Sequence, residues 1–228
     1  MFRKLLIAAA ALAASACSYG SAVDIAPMKD RLAHPPAPAG YYCPAKGAQG
    51  AYQIAAGEDC GVLKWNGSKR AMIMVDKDDP KKSAEIAFVE LDHGLYAAQF
   101  DDPSSSPGRS DSGTPKLHSI NVIIASGRAF TGVSTLGDDD LEAALKRHPK
   151  LTIAHDGKTP YIAAGEVAEI KAFLRDAAGV ALKQDQTKGD EVGVMVIDKP
   201  ARADHPASKE QIRDIEAVKA IADQLTPK

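Results

Sequence analysis

Aromatic side chains are scarce in this 228-residue chain, which has five Phe, six Tyr and one Trp. Sites that stack sugars or cage quaternary ammonium groups need several such rings together, so no binding face of that kind is suggested. An excess of one charge sign is also lacking. Twenty-eight Lys and Arg stand against thirty Asp and Glu, for a net charge of −2. A nucleic-acid binder presents a basic footprint, and here even the local pair Lys81-Lys82 follows Asp78 and Asp79. Long hydrophobic runs are missing too. Leu5 to Ala14 is the longest uncharged apolar stretch at the start of the chain, about half of the roughly twenty residues needed to cross a bilayer core. The common catalytic signatures are absent as well. There is no H-E-x-x-H, G-x-S-x-G, S-x-x-K, P-loop, G-x-G-x-x-G or C-x-x-C, which removes sequence support for zinc proteases, nucleophile-elbow hydrolases, β-lactamases, nucleotide binders and thioredoxin-type redox proteins. Asp76, Asp78 and Asp79 imitate a calcium loop, but Pro80 stands where the turn glycine is required. No metal or cofactor is expected.

What is present begins with Arg3 and Lys4, then the short apolar run, then small residues ending in Ala14-Ser15-Ala16-Cys17. A basic start, an apolar segment of about ten residues and an A-x-A-like site describe a removable secretory signal over residues 1–16. Two products follow from it. Cleavage after Ala16 by an ordinary signal peptidase releases a soluble exported protein. Alternatively, "ASAC" resembles the lipobox of bacterial lipoproteins, although Ala14 stands where Leu is usual and the nearest Leu is Leu12. That resemblance covers the targeting segment only. It implies a diacylglyceryl group on the Cys17 thiol, a mature chain beginning at Cys17, and attachment to the outer membrane facing the periplasm, since Ser18 replaces the Asp that marks inner-membrane retention in that class. The partners expected are the membrane through its lipid anchor and an unidentified envelope protein or small ligand, without nucleic acid.

Cysteine arithmetic bears on the same point. Cys17, Cys43 and Cys60 are the only cysteines, and an odd count in an oxidising compartment needs an explanation. If Cys17 carries lipid, Cys43 and Cys60 remain as a disulfide pair, as befits an exported rather than a cytosolic protein.

Residues 17–40 include the run Ala33 to Gly40, "AHPPAPAG". Prolines lock φ and remove donors, so this part is expected to be a disordered, extended tether. The folded part is expected over 41–228. Asn66-Gly67 marks one hairpin, and further strand pairs are expected around Asp92-His93-Gly94, Ser126-Gly127 and Asp156-Gly157. In the pair around Asp92-His93-Gly94, Ile86 and Phe88 share one face while Ala87, Val89 and Leu91 share the other. Helices are expected within Gly137 to His148, from Gly165 to a stop at Gly179, and after Ser208, whose Gln211 completes a capping box. Residues 183–228 form a strand-and-helix extension that opens with a polar connector. The fold class is α+β: a mainly antiparallel meander sheet with two or three packed helices.

Candidate chemistry is thin. Asp92, His93, His155 and Asp156 sit beside turn glycines and would converge on one site if the two hairpins lay side by side. Turn chemistry explains the same residues. Asp138 to Asp140 read as a helix cap, Trp65 as a lid on a small core, and His34, His118, His148 and His205 as residues needing no ligand. Two functions stand against each other. The first is a non-enzymatic binding or envelope-assembly lipoprotein, which predicts an exposed apolar patch or groove. The second is a soluble or anchored periplasmic hydrolase using His93, His155 and carboxylates, which predicts those two rings in one cleft.

Overall fold

The structure, a computed structural model, describes residues 19–48, 50–57, 60–75, 83–101, 117–156, 159–188 and 193–227. The strands in chain order are β1 (Tyr19–Ser21), β2 (Gly40–Ala48), β3 (Ala51–Ile54), β4 (Gly61–Asn66), β5 (Ala71–Val75), β6 (Ala84–Asp92), β7 (Leu95–Asp101), β8 (His118–Ser126), β9 (Ala129–Val133), β10 (Thr152–Asp156), β11 (Thr159–Ala164), β12 (Val194–Asp198) and β13 (His205–Pro206). The helices are α1 (Asp138–Lys146), α2 (Val167–Lys188) and α3 (Lys209–Leu225). The chain is α+β, with antiparallel pairing throughout except for β1 with β11.

The meander does not stay open. Strands β8, β7, β6, β5, β4, β2, β12 and β9 pair in that order, and β9 returns to β8, closing an eight-stranded barrel. Eight strands leave a lumen that side chains can fill. Tyr42, Leu63, Met72, Ile86, Phe88, Ala98, Ile123, Phe130 and Met195 fill it, with Tyr42 and Phe130 ring centroids 5.0 Å apart. The alternate residues of the same strands point outward. Val89, Leu95, Ala97, Val122, Ile124, Val194 and Val196 form a second core with Ile170, Phe173, Leu174 and Ala177 of α2 and Ile215, Val218 and Ala222 of α3. This two-sided burial explains the unbroken buried stretch Ile120 to Ala125, in which only Asn121 is polar.

Two strands branch. The same edge of β8 pairs with β1 through His118–Ile120 and with β9 through Val122–Ser126. The same edge of β2 pairs with β4 through Gly40–Tyr42 and with β3 through Ala45–Ala48. The first branch carries β1, β11 and β10 away from the barrel as a flap ending in β10.

Several elements differ from expectation. Residues 19–40 belong to the folded body and are not a spacer. Tyr19 opens a strand, Ile25 and Ala26 are fully buried, and Leu32 N–H donates to the Phe88 carbonyl, occupying the ladder where β5 has ended. Ala37 and Leu32 then reach the lumen cluster, and Tyr42 Oη donates to the Pro38 carbonyl at 2.6 Å. Prolines suit this course because it makes few ladder bonds. The second helix passes Gly179 and continues to Lys188, taking in most of the expected polar connector. Gly179 serves close packing: a Cβ there would lie 3.2 Å from the Leu225 carbonyl oxygen. The first helix is capped by Gly137 without a side-chain bond, so Asp139 and Asp140 are first-turn residues. The β4–β5 hairpin uses a four-residue turn, with positive φ at Arg70. The capping box of α3 stands as expected: Gln211 N–H donates to Ser208 Oγ, and Ser208 N–H donates to Gln211 Oε1.

Candidate functional site

The residues that matter for function fall in three places. The first is the branch in β2. Cys43 lies between its β4-pairing and β3-pairing portions, and Cys60 immediately precedes β4. The two are joined by a disulfide across a separation of 17 residues, with Cα atoms 4.2 Å apart, and both are buried. The expected pairing is present.

The second place is the start of β1. Cys17 lies outside the described residues, two positions before Tyr19. Tyr19 is held firmly. Its ring packs edge-on against Phe173 at 5.6 Å, and its Oη accepts from Leu136 N–H. Gly20 sits opposite Tyr161 on β11 and Ser119 on β8. A Cβ at Gly20 would come within 3.1 Å of Tyr161 Cβ, so the strand is wedged tightly between its neighbours.

Beside this wedge lies the third feature, a groove between α1 and the β10–β11 hairpin. Its outer part is about 590 Å³ and is lined by Leu141, Leu145, Ile153 and Pro160, with Glu142, Lys146 and His155 at the mouth. An adjoining crevice of only about 10 Å³, which shares Leu141, Leu145, Ile153 and Pro160 with it, reaches Tyr19, Gly20, Tyr161 and Phe173. The outer volume lies in the range of small-molecule sites. The groove exists because α1 is short and presents Leu141 and Leu145 toward the hairpin without a third element over them among the described residues. Both leucines read from the sequence as an ordinary buried helix face. The available signal was that α1 is the shortest of the three helices yet carries a full apolar stripe.

The histidines do not form one site. His93 is exposed in the β6–β7 turn, where its backbone N–H donates to Asp92 Oδ1 at 2.7 Å. That turn lies at the Ile124 end of β8, opposite Leu95. His155 is exposed on β10, at the flap that joins β8 near Ser119. The rise along β8 from Ser119 to Ile124 alone is about 17 Å, far beyond hydrogen-bond reach. The side chain of Asp156 lies outside the described residues.

Three other histidines are accounted for by structure. His148 is buried; its Nδ1 is 3.1 Å from Glu169 and its Nε2 is 3.1 Å from Asp176, both on α2, so neither ring nitrogen is left for a substrate. His205 is held above its ordinary pKa, first by a bond to the Pro206 carbonyl and then by Asp198 at 2.9 Å. His34 is exposed. Among the described residues, no group of three or more His, Cys, Asp or Glu is placed to hold a metal ion. Trp65 is half-buried against the lumen cluster. Burial raises the Tyr96 phenol, with the Glu90 charge acting in the same direction.

No family model, curated protein or solved structure matches this chain.

Proposed function

We propose that this protein is an exported lipoprotein, fastened to the outer membrane through Cys17, facing the periplasm and acting as a non-enzymatic binding or envelope-assembly domain. The observation that carries the reading is the pairing of Cys43 with Cys60. It uses two of three cysteines and leaves Cys17, at the end of a lipobox-like "ASAC", as the one to be explained. A disulfide is at home in an exported protein and rare in a cytosolic one. The apolar groove beside β1 supports binding over catalysis, because its lining is mostly aliphatic and its polar residues sit at the mouth.

The test is the intact mass of the mature protein from a bacterial envelope, with and without reductant. The expected product begins at Cys17, carries added acyl mass, and gains two hydrogens on reduction. An unmodified chain beginning at Cys17 would mean a soluble periplasmic protein and would overturn the anchor.

A further inference from the structure

The lipoprotein reading puts acyl chains on Cys17, and the fold fixes where they leave the protein. Tyr19 is already strand, wedged between β8 and β11. Two residues of chain reach at most about 7 Å, so the Cys17 Cα lies within that distance of the Tyr19 Cα. Tyr19 lines the narrow crevice, about 10 Å³, that adjoins the α1–hairpin groove along Leu141, Leu145, Ile153 and Pro160. The groove is apolar along Leu141, Leu145, Ile153 and Pro160. Its mouth is flanked by an ion pair, Lys146 Nζ to Glu142 Oε1 at 3.3 Å. An aliphatic floor with a polar rim fits a ligand that is hydrocarbon along its length and polar at one end.

Resting on that reading, we infer that the groove between α1 and the β10–β11 hairpin receives one of the acyl chains borne by Cys17. The occupant is the protein's own lipid and not a free one, because covalent attachment at this range gives an effective concentration on the order of millimolar. A peptide or a second copy of the chain would have to displace a chain tethered beside the groove. Stable anchoring takes more than one acyl chain. The chain held in the groove is withdrawn from the bilayer, so at least two others on Cys17 must stay in it, and the protein then lies with α1 and the hairpin against the membrane surface.

The experiment uses the full chain in a bacterial envelope. A photo-reactive residue is introduced as Ile153→p-benzoylphenylalanine and, separately, as Leu145→p-benzoylphenylalanine. Lys64→p-benzoylphenylalanine, on the exposed face of β4, is the control. After irradiation, peptides are analysed by mass. The expected result is a cross-link from position 153 or 145 to the acylated Cys17 peptide, at least tenfold more abundant than from position 64. Cross-links to free phospholipid alone would overturn the assignment of the occupant, and equal labelling at position 64 would overturn the groove as its place. If Cys17 proves unacylated, the anchor reading falls and this inference with it, and the mass of the uncross-linked protein separates that failure from the others.

A second measurement tests the groove apart from the anchor. Cys17→Ala protein, verified folded by circular dichroism, is titrated with dansyl-labelled undecanoate. One probe is expected to bind per chain, with affinity falling at least tenfold in Cys17→Ala/Ile153→Trp, where the ring fills the groove. Failure of the probe to bind would refute an acyl site there.

Discussion

Removing the Cys43–Cys60 bridge is the perturbation whose size follows most directly from the structure. The bond closes a loop of 17 residues of separation. In the chain-entropy model, the unfolded state loses about 10 cal/mol/K through such a cross-link, worth about 3 kcal/mol at 25 °C. For a chain of this size, 1 kcal/mol moves the melting temperature by about 2–4 °C, so Cys43→Ala/Cys60→Ala should melt about 6–12 °C lower. The position adds a local consequence. The bridge stands where β2 passes from β4 to β3. Without it, β3 is held mainly by Ala45–Ala48 of β2 and by the two-residue pairing with β13. Amides of β3 should then exchange faster than those of β6 and β7, whose neighbours are unchanged. The assay is thermal unfolding followed by far-UV circular dichroism, with hydrogen exchange on the same samples. Reductant should lower the melting temperature of the native protein and leave the double variant unmoved. A double variant melting within about 2 °C of the native protein would refute the argument, as would an equal effect of reductant on both.

Other expectations follow from single contacts. Arg128 donates from Nε to Asp214 Oδ2 at 2.8 Å and from Nη1 to Glu210 at 3.1 Å, tying the β8–β9 turn to α3; Arg128→Ala leaves the buried Asp214 carboxylate with only the residue-128 backbone N–H and Arg213 at 3.5 Å, and should cost about 1–3 kcal/mol in urea unfolding, with a non-zero coupling in the cycle with Asp214→Ala. Gly127 has φ +57, and a Cβ there would meet Asp214 Oδ1 at 2.7 Å; Gly127→Ala should lose about 1–2 kcal/mol from the left-handed conformation alone, and an unchanged urea midpoint would contradict this. His205 titrates above its ordinary value in the folded state, so its stabilisation is complete below about pH 6.5 and is lost as pH rises through the raised value; the stability difference between native protein and His205→Gln should therefore shrink from pH 6 to pH 9, and a difference that grows would reverse the sign.

The parts of the fold that were readable in the sequence are those with local causes. The faces of β6 are legible, with Ile86 and Phe88 in the lumen and Ala87 and Val89 under the helices, because the alternation of a strand is fixed by its pleat. The capping box at Ser208 was legible because its two bonds span three residues. The Cys43–Cys60 pairing was legible only after Cys17 had been set aside. What could not be read depends on distant partners. Closure of the barrel requires β12 to insert between β2 and β9, and nothing in "VMVID" names those neighbours. Gly179 looked like a stop because a glycine ordinarily weakens a helix, yet its missing side chain is what lets the end of α3 approach. The run of prolines looked like a spacer because its composition is that of one, whereas Leu32 and Ala37 are directed into the lumen cluster. The groove was invisible for the same reason: Leu141 and Leu145 carry the pattern of a buried face, and only the geometry of α1 against the hairpin leaves them partly uncovered.

The position of β1 changes what an anchor at Cys17 would mean. With a tether to residue 40, a lipidated domain would range over more than twenty residues of chain, and its orientation to the membrane would carry no information. With Tyr19 already in the sheet, only residue 18 would separate such an anchor from β1. Tyr19, Gly20 and Ser21 pair with β8 on one side and β11 on the other. Ser21 Oγ donates to the Val23 carbonyl, Ala22 N–H donates to the Ile162 carbonyl, and Ile25 N–H donates to Gln99 Oε1. Pulling on Cys17 therefore loads the sheet itself, at the branch in β8 where the flap leaves the barrel. Were Cys17 lipidated, the groove of α1, which lies beside Tyr19, would stand within reach of the bilayer.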